Sequence, residues 1–190
     1  MNPTLVAWTD LLLPTLVAAV LVFIASSLIH MVLQLHKGDY RRLSNEDEVR
    51  AAIRKGSPTP GQYVFPHCMG GKDMANPEMQ KKFAEGPIGV LYVRPNGMPK
   101  MGPFLGGWFV YTLIVGLLAG YIARTTVHAG APYLEVFQVI GAASWLAYAW
   151  QSPSDSIWKG KPWSITVRAL FDGLIYAAIT AGSYAWLWPK

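Results

Sequence analysis

His67 and Cys68 stand side by side in Pro66-His67-Cys68-Met69-Gly70-Gly71, which joins an imidazole, a thiol and a thioether. Soft ligands of this kind suit Cu(I), and imidazole with thiolate also suits Zn(II). A structural zinc site takes four ligands, usually in paired spacing. Only His36 and Asp73 are candidates to complete this one. There is no second cysteine and no C-x-x-C-H run. A catalytic Cys68–His67 pair lacks a third orienting residue, and adjacent residues rarely face each other well. Methionines such as Met74 and Met79 more often fill a small core.

His30 and Asp172 are the other candidates, because each lies within an apolar stretch, where ionisable groups mark functional sites. His30 falls five residues before the end of the first stretch, and Asp172 about seven residues into the last. If the two helices run in opposite directions, both groups lie at similar depth, roughly 8–10 Å below one surface at 1.5 Å per residue. A His–Asp contact there could relay protons or hold a cation. The structural alternative is a helix-to-helix hydrogen bond, or Arg168 pairing with Asp172 one turn away.

The elements that must position these residues follow from hydropathy. Apolar stretches cover about residues 11–35, 104–123, 133–150 and 165–188. The first is long enough to cross a ~30 Å hydrocarbon core with tilt. The third is the shortest and carries Glu135 and Gln138 in its first turns. Only 14% of residues are charged, against roughly 25% in soluble domains. Tryptophans cluster near the ends of the stretches, as interfacial aromatics do.

Charge then orients the chain. Eleven of sixteen Lys and Arg residues lie from Lys37 to Lys100, and three more are Lys159, Lys161 and Arg168. These groups occupy alternate gaps between the stretches. Cytoplasmic loops retain Lys and Arg, so the spacing predicts both termini outside and the long first loop inside. A bacterial inner membrane fits best. No Lys or Arg precedes Lys37, so the first span reads as an uncleaved anchor. The net charge of +5 is explained by attraction to anionic lipid. Nucleic acid is not expected as a partner, since the basic residues flank spans and share the long loop with seven acids.

The fold class expected is an all-α membrane protein: a four-helix transmembrane bundle with a small α+β cytoplasmic cap between its first two helices. The parts are 1–36 (terminal segment and first helix), 37–102 (cap) and 103–190 (helices two to four). Within the cap, 44–56 runs from acids to bases and closes on Gly56, so it reads as a helix. Asn76-Pro77-Glu78 opens a second helix. Residues 63–65 and 88–93 are strand candidates.

Small residues recur at helical spacing in two spans, at Gly116 and Gly120 and at Gly173 and Ala177. They let backbones approach closely where lipid supplies no hydrophobic drive. They serve packing within the monomer, or a homo-oligomer or subunit contact. No P-loop, dinucleotide fingerprint, G-x-S-x-G or H-E-x-x-H occurs, and no catalytic residue or cofactor beyond a metal ion is indicated.

Leu146-Ala147-Tyr148, Trp158-Lys159-Gly160-Lys161-Pro162-Trp163, Asp172-Gly173-Leu174-Ile175-Tyr176 and Trp186-Leu187-Trp188 resemble the closing half of an uncharacterised family of small bacterial four-helix integral membrane proteins. The likeness covers about a third of the chain. The long cap departs from the family's shorter versions. The resemblance implies four helices and no established activity. The expected role is a small accessory or structural subunit packing against itself or a larger membrane complex. The alternative is transport or permeation of a small solute, proton or metal ion through His30 and Asp172. A third is a membrane-bound metal or redox protein built on His67 and Cys68.

Overall fold

A computed structural model describes residues 5–190. The chain is mostly helical and divides into two compact units. Residues up to Asp39 and Lys100–Lys190 form one, and Tyr40–Pro99 the other. In the first unit lie α1 (Trp8–Ser27), continued by a π-helical turn (Leu28–Val32), α5 (Met101–Thr126), α6 (Tyr133–Ala149), α7 (Gln151–Lys159) and α8 (Trp163–Leu187). The second holds α2 (Glu46–Lys55), β1 (Gly61–Phe65), α3 (Gly71–Met74), α4 (Pro77–Glu85) and β2 (Gly89–Val93).

Cross-contacts set the helix directions. Thr15 near the start of α1 meets Tyr184 near the end of α8, and His30 at the other end of α1 approaches Asp172. The two helices are therefore antiparallel. α1 and α5 are antiparallel as well, since Thr15 packs on Gly116 while Ser26 bonds Trp108. α6 runs against α8 in the same way, with Gly141 beside Ala181 and Ala149 beside Gly173.

The residue pattern inverts that of a water-soluble bundle. α1 buries Leu11, Thr15, Ala18, Val22 and Ser26, one stripe at helical spacing. α5 buries Thr112, Val115, Gly116, Ala119, Gly120 and Ala123. These inner residues are mostly small or hydroxyl-bearing. The outward faces carry Leu12, Leu16, Ile24, Val110, Ile114, Leu118, Phe171 and Leu174 instead. So broad an exposed apolar belt is foreign to soluble monomers, and small residues at helix contacts are what packing in lipid selects. Among the described residues three helices are long and apolar enough to cross a membrane: Trp8–Val32, Met101–Thr126 and Trp163–Leu187. That is compatible with a multi-pass membrane protein. The third expected span is α6, whose 17 residues reach only about 25 Å at the helical rise.

α1 begins at Trp8 and carries Pro14 inside it. α8 begins at Trp163, with Pro162 as its N-cap. Proline fits an N-terminal helix boundary, where backbone N–H groups lack intrahelical partners in any case.

In the second unit β1 and β2 pair antiparallel, with Gly61 opposite Val93 and Phe65 opposite Gly89. A Cβ on Gly89 would lie 2.9 Å from the Phe65 ring, so the glycine makes room for that side chain. α2 carries Glu46, Asp47 and Glu48 in its first turn and Arg54 and Lys55 in its last, each charge favourable to the helix dipole. Asn76 caps α4 by accepting from the Glu78 amide at 2.9 Å. No residue of α2, α3 or α4 is buried, and β1 is exposed throughout.

Candidate cation site at the His30 end of the bundle

α1 does not end as a plain α-helix. At Leu28 it widens into a π-helical turn, closed by the Leu33 amide on the Leu28 carbonyl at 2.8 Å. Such turns insert one residue and frequently occur at functional sites. Gln34 then takes a left-handed conformation, φ 49°, which costs a non-glycine residue energy and is held only where the surroundings enforce it. The chain turns sharply there. The Asp39 amide closes the next turn on the His36 carbonyl at 3.0 Å. In a continuous α-helix, six residues would set His36 about 120° around from His30. Here the two imidazoles lie close together, with ring centroids 4.5 Å apart and their planes tilted by 32°.

α8 supplies the opposing groups. Asp172 Oδ2 lies 2.7 Å from His36 Nε2 and 3.9 Å from His30 Nε2. Tyr176, one turn further along α8, places its hydroxyl 3.2 Å from His30 Nε2. One donor atom each from His30, His36 and Asp172 lies within 4.8 Å of the others. Among the described residues they are the only group of three or more His, Cys, Asp or Glu side chains so arranged. His30 is half exposed, while Asp172 is almost enclosed. A groove of about 250 Å³, lined by Ser26, Met101, Leu105 and Trp108 among others, opens beside His30.

Behind this trio stands a supporting carboxylate. Asp39 Oδ2 sits 2.9 Å from His36 Nδ1, and the Arg168 guanidinium lies against Asp39 Oδ1. Arg168 therefore pairs with Asp39, not with its own-helix neighbour Asp172. Burial disfavours charge on Asp39, but hydrogen bonds from His36 and Arg168 outweigh it and hold the carboxyl below its usual range. The electrostatic order is thus arginine, carboxylate, imidazole, carboxylate.

Three buried polar atoms of this cluster, His36 Nε2, Asp39 Oδ1 and Arg168 Nε, form no aligned hydrogen bond, and His36 Nε2 lies 2.7 Å from Asp172 Oδ2. Buried polar atoms are nearly always satisfied.

The sequence reading singled out His30 and Asp172, and they lie at one locus. It named His36 only as a partner for His67 and Cys68, and it did not single out Asp39. His67 is exposed and Cys68 half-buried. The Cys68 thiol donates to the Gly70 carbonyl at 3.5 Å. Asp73 accepts from the Met69 amide at 2.8 Å. No third His, Cys, Asp or Glu ligand gathers with His67 and Cys68 among the described residues. The small residues are spent inside the unit: Gly116 on Thr15, Gly120 on Tyr184, Gly173 on Ala149, with Ala177 buried.

Comparison of the chain with protein-family models, with characterised proteins and with solved structures gives no match.

Proposed function

We propose that this chain is a four-helix integral membrane protein that moves a small cation across its membrane, taking it up through His30 and Asp172. One observation carries the reading: donor atoms of His30 at the end of the first long apolar helix, His36 in the turn that follows it and Asp172 in the last helix converge within 4.8 Å. Ionisable groups that converge inside apolar helices are costly to keep and characteristically serve ion pathways. α6 is the fourth span. It packs antiparallel to α8, and a short span is accommodated by local thinning of the bilayer. Four crossings also keep Arg124 apart from Lys159, Lys161 and Arg168, as the positive-inside rule requires. The membrane is a bacterial inner membrane, with both termini outside and residues 40–99 cytoplasmic.

The test is ion flux in proteoliposomes holding a pH-sensitive dye or a divalent-sensitive dye, under an imposed gradient. Flux of one ion well above protein-free vesicles is expected, and Asp172→Asn should abolish it. Neither ion moving faster than through protein-free vesicles would overturn the proposal.

A second reading, the accessory subunit, has a different support. Residues 40–99 expose Tyr63, Val64, Phe65, Met69 and Tyr92, apolar surface of the kind that meets a protein or lipid. Native mass spectrometry distinguishes it. A stable second chain or subunit is expected on this reading, and a lone, flux-competent monomer opposes it.

A further inference from the structure

We infer that His30, His36 and Asp172 form a binding site for a divalent first-row transition ion of the zinc class, with His36 oriented by Asp39 and Arg168. The inference rests on the reading of this cluster as a cation site and names the ion.

Asp39, with Arg168 against its other oxygen, is a carboxylate and can only accept. The 2.9 Å contact therefore puts a proton on His36 Nδ1. In the neutral imidazole Nε2 is then a lone-pair acceptor. It faces Asp172 Oδ2, a second acceptor, at 2.7 Å. Two acceptors repel at that distance unless a cation or a proton joins them. A proton on Nε2 would make an imidazolium, and a short aligned N–H···O bond should result. The alignment for such a bond is missing.

A metal ion resolves the conflict. Zinc binds imidazole nitrogen and carboxylate oxygen at about 2.0–2.2 Å, which sets tetrahedral donor atoms about 3.3 Å apart. Separations of 2.7 and 3.9 Å, with 4.8 Å as the limit, bracket that figure, so sub-ångström to ångström movements would complete the site. Two imidazoles and one carboxylate select borderline transition ions over magnesium or calcium, which require oxygen ligands. The Asp39–His36 contact is the carboxylate–histidine pairing that metal-ligating histidines almost always show. Three protein ligands leave a coordination position open, next to half-exposed His30 and the Tyr176 hydroxyl. A cation that must be released needs such an opening.

The test is equilibrium binding of Zn²⁺ and Co²⁺ to the full chain in detergent, in a Cys68→Ser background that removes the competing thiol. Saturable binding of a single ion per chain is expected, undiminished by excess Mg²⁺. His36→Gln and Asp172→Asn should each weaken it by at least about tenfold, and Asp39→Asn by about 10–100-fold. His36→Cys should bind Co²⁺ with a new thiolate-to-cobalt absorption, a positive signal that misfolding cannot produce. No saturable binding, or binding unaffected by all of these changes, would overturn the inference. Proton flux without metal binding would sink the metal and leave the cation pathway standing. Metal binding without flux would do the reverse.

Discussion

His36 is the residue on which the site turns, because it touches a carboxylate at each ring nitrogen. Asp39 fixes one nitrogen and leaves the other facing Asp172. Replacing Asp39 by Asn keeps the shape but makes the ring's preferred tautomer uncertain and releases Arg168. Stability should fall by about 1–3 kcal/mol, the range for a hydrogen bond to a charged group, because Asp39 is enclosed while Arg168 is 42% exposed and keeps water within reach. Chemical denaturation of the detergent-solubilised protein measures it, and a change under about 1 kcal/mol would contradict it. A different outcome is expected of Tyr184 at the opposite end of α8. Its hydroxyl donates to the Gly116 carbonyl at 2.7 Å and meets Thr15 at 2.5 Å. Tyr184→Phe should cost about 1 kcal/mol and leave cation binding untouched. His30 and Asp172 were legible in the sequence because an ionisable group in an apolar run stands out. His36 was not, because a regular 3.6-residue repeat directs it away from His30. The widened turn at Leu28–Val32 and the left-handed Gln34 bring the rings together, and neither leaves a periodic trace.

At the scale of elements, the π-helical turn is the structural device and the small residues are the packing device. Deleting Val32 removes the inserted residue and should rotate His36 relative to His30 by about 100°. Circular dichroism should remain helical while Co²⁺ affinity drops more than about tenfold, a loss comparable to removing a ligand's support. Retained affinity would show that the turn is incidental. A Cβ on Gly173 would lie 2.5 Å from that of Ala149, whereas one on Gly106 meets nothing within 4 Å. Gly173→Val should therefore destabilise the α6–α8 contact by about 1–3 kcal/mol. Gly106→Val should change stability far less, and thermal unfolding of the two variants compares them. The small-residue spacing was readable in the sequence, but the surface it would serve was not. Which face a glycine stripe meets depends on helix rotation, and helices that are apolar on all sides give no polar face to fix it. α7 lies in the gap between two apolar stretches and carries Pro153 and three serines, so neither hydropathy nor propensity marks it as a helix. Its Ser156 hydroxyl reaches Thr166 at 2.6 Å and Lys161 reaches Ser152 at 2.8 Å, tertiary bonds that support a helix with little propensity of its own.

For the whole molecule, the sorted Lys and Arg residues are what the proposed orientation rests on, since hydropathy alone assigns no side. The sole cysteine, Cys68, is half-buried in residues 40–99 and reports that orientation without mutation. A membrane-impermeant maleimide should label it in inside-out vesicles and not in right-side-out ones. Labelling only from the outer side would reverse the topology and put the His30 end of the bundle on the far face. The central claim is that His30, His36 and Asp172 hold a metal ion. Anomalous diffraction at the cobalt edge, from crystals of the full chain grown with Co²⁺, tests it most directly. A peak is expected about 2.0–2.2 Å from His36 Nε2 and Asp172 Oδ2, with His30 Nε2 drawn toward it. Cobalt bound elsewhere, with His36 and Asp172 joined by a direct, aligned N–H···O bond, would contradict it.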